Sequence, residues 1–257
     1  MGSSVLIEAT RRALGPVGAF LPVPTTSAPP ADLQRDAVRR LERAGYPAAW
    51  TNETVGGKDA LVQLAVLLAA TERMVFGTGI ANIWARSAQT AHGAAAFLTQ
   101  AYPGRLVLGL GVGYPQQAAS AGREFGRPLA TMRAYLDQMN VPAQLPAPDV
   151  AYPRIIGANG PKMLALAAEI TDGAMPAGQP PEFTAQARQV LGPDKLLVIF
   201  AHVDAGQGDP AAITAAVREH LAAGADHVLA GMPIGTDFTV GLERLEQLAP
   251  ALLSVPG

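Results

Sequence analysis

Apolar and polar positions fall into blocks along this chain. Short, nearly unbroken apolar runs each give way to a longer stretch whose apolar residues recur at helical spacing. The first run, GPVGAFLP at residues 15–22, is followed by a turn-rich loop and a helix over 33–45. There Leu33, Ala37, Val38 and Leu41 share a face, Asp32 is placed to cap the start and Gly45 to end it. A second strand at 48–53 precedes a helix at 58–71, and a third at 74–81 precedes a helix at 87–102. The fourth, RLVLGLGVG at 105–113, is followed by a helix at 128–139. Beyond a proline-rich connector at 141–153, strands at 154–159, 174–177, 195–203 and 227–233 alternate with helices at 161–173, 181–192, 209–224 and 238–253. Apolar runs without alternation are what a parallel sheet covered on both faces requires. Eight such pairs in 257 residues predict a single (β/α)8 barrel (TIM barrel) domain over residues 1–257, with a doubly wound open sheet as the structural alternative.

Composition narrows the function. A net charge of -2 and a pI near 6.1 argue against a nucleic-acid or anionic-membrane surface. There is no cysteine, hence no disulfide framework and no thiolate zinc site. The most apolar stretch, ALVQLAVLLAA at 60–70, is far shorter than the ~20 residues of a membrane span. No signal-peptide core is visible at the start. The expectation is a cytoplasmic protein acting on a small molecule, with neither nucleic acid nor membrane as partner.

In a barrel of this kind the active site lies at the C-terminal strand ends, and several of these ends are rich in glycine. In IGANGPKM, the residues Ala158, Asn159, Gly160 and Pro161 open a helix whose free amides suit a phosphate; the same residues also read as an ordinary turn capped by Asn159. The GLGVG of residues 109–113 fails as a dinucleotide fingerprint, because Tyr114 occupies the sixth position and Pro115 is expected to open no helix. Glu53 ends the second strand beside Asn52, placed to hydrogen-bond a cofactor ring or relay a proton, or else simply solvated. Trp84 and Arg86 offer an apolar wall and an anion contact, or else simply pack on the surface. Among the histidines, His227 reads as structural, His220 as solvated, His92 as a satisfied helix residue and His202 as a possible ligand contact. No histidine and carboxylate spacing suggests a metal, and no serine nucleophile elbow is present.

The strings ATERMVFGTGIANIWAR, AYPGRLVLGLGVG, GRPLATMRAYLD and GANGPKMLALAAEITDG, in that order, resemble the luciferase-like monooxygenase superfamily of flavin oxidoreductases, and within it the actinobacterial branch that uses coenzyme F420. The resemblance implies a (β/α)8 barrel, a non-proline cis peptide between Gly79 and Ile80, and hydride transfer between F420 and a small organic substrate. FMN with a monooxygenase activity is the alternative cofactor and reaction; a non-catalytic flavin carrier or sensor is another. It implies that the third strand ends on glycines because a flat ring leans on that backbone. Asn82 and Trp84 then border the ring and substrate space, Gly111, Val112 and Gly113 pass under the cofactor arm, and the 158–161 turn holds its phosphate. Glu53 falls where relatives touch the ring, and Phe20, Trp84, Tyr114 and His202 surround the substrate. The chain departs from some sugar-phosphate dehydrogenases of the superfamily, which carry a glutamate where Tyr114 stands and a histidine where Thr54 stands. Tyr114, Glu53 or solvent is left as proton donor. A homodimer through the apolar second and third helices is also implied.

Overall fold

The computed structural model describes residues 3–143, 146–202 and 209–255. Among these residues nine parallel strands form one sheet: β1 (Val17–Phe20), β2 (Ala48–Thr51), β3 (Val75–Thr78), β4 (Ala81–Asn82), β5 (Leu106–Gly111), β6 (Arg154–Gly157), β7 (Gly173–Met175), β8 (Leu196–His202) and β9 (His227–Gly231). Their order is β3-β2-β1-β9-β8-β7-β6-β5-β4, and β5 also pairs with β3. The sheet therefore closes on itself. β3 and β4 are two halves of the third barrel strand: Phe76 and Gly77 pair with Leu106 and Val107, while Ala81 and Asn82 pair with Leu110 and Gly111. The fold is a (β/α)8 barrel. Helices α2 (Ala31–Arg43), α3 (Ala60–Leu68), α4 (Ala88–Ala101), α6 (Pro128–Met139), α7 (Pro161–Ile170), α8 (Pro181–Leu191), α9 (Pro210–Ala222) and α10 (Phe238–Leu252) follow the eight barrel strands in turn. None among the described residues is long and apolar enough to cross a membrane.

The unbroken apolar runs follow from two separate layers of packing. One strand parity (Trp50, Val107, Ile155, Val198, Leu229) meets inside the barrel, and the other (Phe76, Leu108, Ile156, Ile199, Val228) packs under the helices. Both faces of every strand must then be apolar.

Several expectations are corrected. Helix α1 (Ser3–Leu14) was not predicted. It lies across the N-terminal end of the barrel, where Ile7 and Leu14 join the interior cluster. Its Arg11 ion-pairs with Asp226 at 3.0 Å and donates to the carbonyl of Lys195 at 2.9 Å. Pro115 does open a helix, α5 (Pro115–Ser120), because proline suits the first helical position. Asp32 lies inside α2, whose cap is Pro30. The third strand is interrupted rather than continuous to Ala81. His220 is buried, with Nδ1 2.9 Å from the Thr184 hydroxyl, so it is not solvated. Val203, the predicted end of its strand, lies outside the described residues.

His227 is fully buried at the base of the barrel. The Gly15 carbonyl can only accept, so Nδ1–H donates to it at 2.7 Å, and Nε2 accepts from the Trp50 indole N–H at 3.2 Å. Only the neutral ring satisfies both partners. Burial, partly offset by the Gly15 carbonyl, pushes its pKa down to about 4. The unfolded chain takes up this proton near the ordinary histidine value and the folded one does not, so the contribution is complete at neutral pH and is lost as pH falls toward 4. Acidification through that window is expected to remove roughly 2–4 kcal/mol through this residue. Denaturant unfolding of the wild type and of His227→Gln at pH 7 and pH 5 checks it: the variant should show the shallower pH dependence.

Candidate active site

The C-terminal strand ends form a rim, and its most distinctive point is the joint between β3 and β4. The Gly79–Ile80 peptide is cis, as the resemblance implied. The end of β2 holds this joint by main-chain bonds on both sides: Gly79 N donates to Thr51 O at 2.8 Å, and Glu53 N donates to Ile80 O at 3.1 Å. On the other flank the Thr78 hydroxyl donates to Gly109 O at 2.7 Å and accepts from Gly109 N at 2.9 Å.

The glycines here have a different use from the one expected. A Cβ on Gly77 would lie 2.3 Å from the Trp50 ring, one on Gly79 2.6 Å from Met175 Cε, and one on Gly111 2.5 Å from Ile80 Cγ1. The room they leave is filled by the chain's own large side chains, not kept for a ring. What those side chains build is an apolar floor: Ile80, Val23 and Phe200 are partly buried and pack on the buried cluster of Phe20 and Met175, with Phe20 edge-on to Phe200 at 4.7 Å.

Glu53 lies beneath this rim and is only 4 % exposed. Its Oε1 accepts from Ala60 N at 3.0 Å and from Arg86 Nη2; its Oε2 accepts from Asn82 N at 2.7 Å and Arg86 Nη1 at 3.2 Å. Arg86 also pairs with Asp59 at 2.7 Å, and its carbonyl accepts from the Tyr135 hydroxyl at 3.3 Å. Burial opposes the charge on Arg86, yet its bonds to Glu53 and Asp59 hold its pKa above the ordinary value. Glu53 is therefore neither solvated nor turned toward a ring. It ties the ends of β2 and β4 to the start of α3, and Arg86 is its partner rather than an anion contact.

Asn82 is buried as well. Its Oδ1 accepts from Trp84 N at 3.0 Å, and its Nδ2 donates to Gln117 Oε1 at 3.1 Å, which also receives Tyr114 N at 2.8 Å. Trp84 is 7 % exposed, donates to Val112 O at 2.7 Å and packs on Phe125, so it supports the rim from behind. Tyr114 projects from the rim, 71 % exposed. Gly113, at φ +56°, cradles the Gln117 amide: a Cβ there would lie 2.0 Å from Gln117 Oε1.

Next along the rim, α7 opens at Gly160, in extended conformation and without a side-chain cap. Asn159 is no cap, because its Oδ1 accepts from Ala177 N at 2.9 Å and braces the end of β7. Ala158 is buried beside it, Pro161 and Lys162 are exposed, and a Cβ on Gly160 would meet nothing within 4 Å. The structure thus brings Gly79, Ile80, residues 111–113 and residues 158–161 to adjacent strand ends, β4-β5-β6, with Phe20 reaching Gly79 across the interior. The side chain of His202 lies outside the described residues. Sequence reasoning passed over Phe200, Met175 and Gln117; an apolar residue at a strand end looks the same whether it faces the core or the mouth.

A model of the family described as luciferase-like monooxygenase matches residues 16–192. The chain belongs to the luciferase-like monooxygenase family. Among its relatives, a 5,10-methylenetetrahydromethanopterin reductase of Methanolobus tindarius is 29% identical over 169 residues, covering 58% of this chain and 51% of that protein. A Mycobacterium tuberculosis protein, Rv3520c, whose name places it among coenzyme F420-dependent oxidoreductases, is 31% identical over 181 residues, covering 58% of this chain and 52% of its own. The chain therefore spans about half the length of these curated relatives. The coenzyme F420-dependent tetrahydromethanopterin reductase structure from Methanopyrus kandleri superposes with a TM-score of 0.71 at 16% identity, covering 92% of this chain and 98% of that one. In this luciferase-like barrel, the buried ion pair under the rim sets a testable expectation. Arg86→Met leaves the Glu53 charge buried without its partner and should cost about 3–5 kcal/mol in denaturant unfolding, while Glu53→Gln/Arg86→Met together should cost less than Arg86→Met alone.

Proposed function

We propose that this protein is an oxidoreductase that moves a hydride between coenzyme F420 and a small organic substrate. The observation that carries this reading is the juxtaposition of an apolar floor and an open helix start on one rim. Ile80 and Phe200 offer the face that a flat ring needs. The start of α7, with clear space over Gly160 and an exposed Lys162, offers amides and a positive helix end to a phosphate. These residues fit the cofactor. The F420-linked names of relatives favour it over FMN; the description of the family itself favours FMN and a monooxygenase, since FMN carries a phosphate for the same helix start.

When bound, the deazaflavin supplies the hydride chemistry, and the protein's part is placement. Ile80, backed by Gly111 and Gly157, carries the ring. Gly160 and Lys162 hold the phosphate, and residues 111–113 run beside the arm. Tyr114, exposed on the rim, is the residue whose hydroxyl would orient the substrate and give it a proton. Glu53 moves no proton, since its oxygens are bonded within the chain; it positions the joint at Gly79–Ile80. Phe97 and Val62, exposed by 62% and 65% on α4 and α3, form the apolar face through which two copies pair.

Titration of the apoprotein with each cofactor tests the central assignment. F420 should bind at least about tenfold more tightly than FMN; the reverse order would overturn the choice. Gly160→Asp should fold normally, because nothing crowds that position and aspartate is a good cap. Its carboxylate should nevertheless weaken cofactor binding roughly 10- to 100-fold by occupying the phosphate position. Sedimentation should give twice 26.5 kDa, falling to the single mass in Phe97→Glu.

A further inference from the structure

Beside the mouth, between the loops that follow β1 and β2, lies a cleft of about 370 Å³. Its walls include Val23, Pro24, Thr25, Asn52, Lys58 and Phe238. Lys58 is the only charged side chain lining it among the described residues, and no carboxylate faces it there.

The ammonium of Lys58 is held in place from one side. Its Nζ donates to Thr51 Oγ1 at 3.1 Å. The Thr51 proton is committed to Gln63 Oε1 at 2.9 Å, Gln63 Nε2 donates to Gln34 Oε1, and Gln34 Nε2 donates to Pro29 O at 2.7 Å. This buried relay turns the lone pair of Thr51 toward Lys58 and uses one of its three N–H groups. Lys58 forms no ion pair among the described residues, because Glu53, the nearby acid, is bonded to Arg86 and to two amides. Burial, partly offset by the Glu53 charge, pulls its pKa down to about 8. Asn52 also lines the cleft, with its Oδ1 closed off from solvent. A half-buried ammonium whose neighbouring acid, Glu53, is hydrogen-bonded to other donors keeps N–H groups that are costly to leave unmatched.

We propose that this cleft binds the anionic group of the substrate, a carboxylate or phosphate monoester, on Lys58. The apolar walls, Val23, Pro24 and Phe238, cover the stem that carries the acid. Such an anion accepts from the N–H groups of Lys58 that Thr51 leaves unused, and Thr51 holds the ammonium at the wall of the cleft. That the anion belongs to the substrate rests on the oxidoreductase reading; that an anion binds at Lys58 does not.

The chain has only three lysines, Lys58, Lys162 and Lys195, so NMR of 13C-dimethylated apoprotein resolves them individually. Titration with acetate and with inorganic phosphate at constant ionic strength, against chloride as control, should shift the Lys58 signal saturably. It should also raise the Lys58 titration midpoint from about 8 toward the ordinary lysine value. The relative strength of the two anions tells carboxylate from phosphate as the group the site takes. No shift at Lys58, or shifts of all three lysines in step, would overturn the proposal, and the wild-type titration stands whether or not Lys58→Met folds. In turnover with reduced F420, Lys58→Met should raise KM for acidic substrates relative to neutral ones by about tenfold. F420 binding is read separately by its fluorescence: anion binding without it would keep Lys58 as an anion site and overturn its assignment to a substrate.

Discussion

The carboxylate of Glu53 holds the end of β2, the start of α3 and the end of β4 to one another, with Arg86 as its counter-charge. Almost no water reaches this pair, so each partner is needed by the other: a carboxylate alone at this depth would be too costly to keep charged. Its bonds to Ala60 N and Asn82 N set the height of two loops, and the main-chain bond from Glu53 N to Ile80 O sets the position of the cis joint. The apolar floor of the mouth stands on that joint. A catalytic acid was expected at this position; a buried brace is there instead.

Small and large residues are matched across the strands in the same region. Gly77 accommodates Trp50, Gly79 accommodates Met175 and Phe20, and Gly111 accommodates Ile80. Trp50 in turn meets His227, which reaches the Gly15 carbonyl just beyond α1. The rim and the base of the barrel are thus linked through two interior rings, and large side chains at the mouth are supported by the absence of side chains on their neighbours. Close packing of this kind leaves little freedom to shift one strand end without moving the next.

The barrel was legible because every strand is buried on both faces, which writes it as an apolar run, and because glycines and prolines mark its turns. Helix α1 was not, since Ile7 and Leu14 show one short apolar face that closes a barrel end, and periodicity carries no information about where such a face docks. The 158–161 turn was recognised, but the partner of Asn159 lies on β7, and only the fold brings Ala177 to it. Glu53 was singled out and its neighbours were not: Arg86 is 33 positions away, and no local pattern pairs the two. His220 looked solvated among charged residues because the helix face it occupies depends on the packing of α8 against α9.

On the proposed function, the rim around Ile80 and Gly160 is one cofactor site, with a floor for the ring and a helix start for the phosphate. An experimental structure of the protein soaked with F420 tests it most directly. The ring is expected against Ile80 and the phosphate within hydrogen-bonding distance of the first amides of α7. A cofactor seated elsewhere, or density in which side chains cover Gly160 and leave no access to those amides, would contradict it.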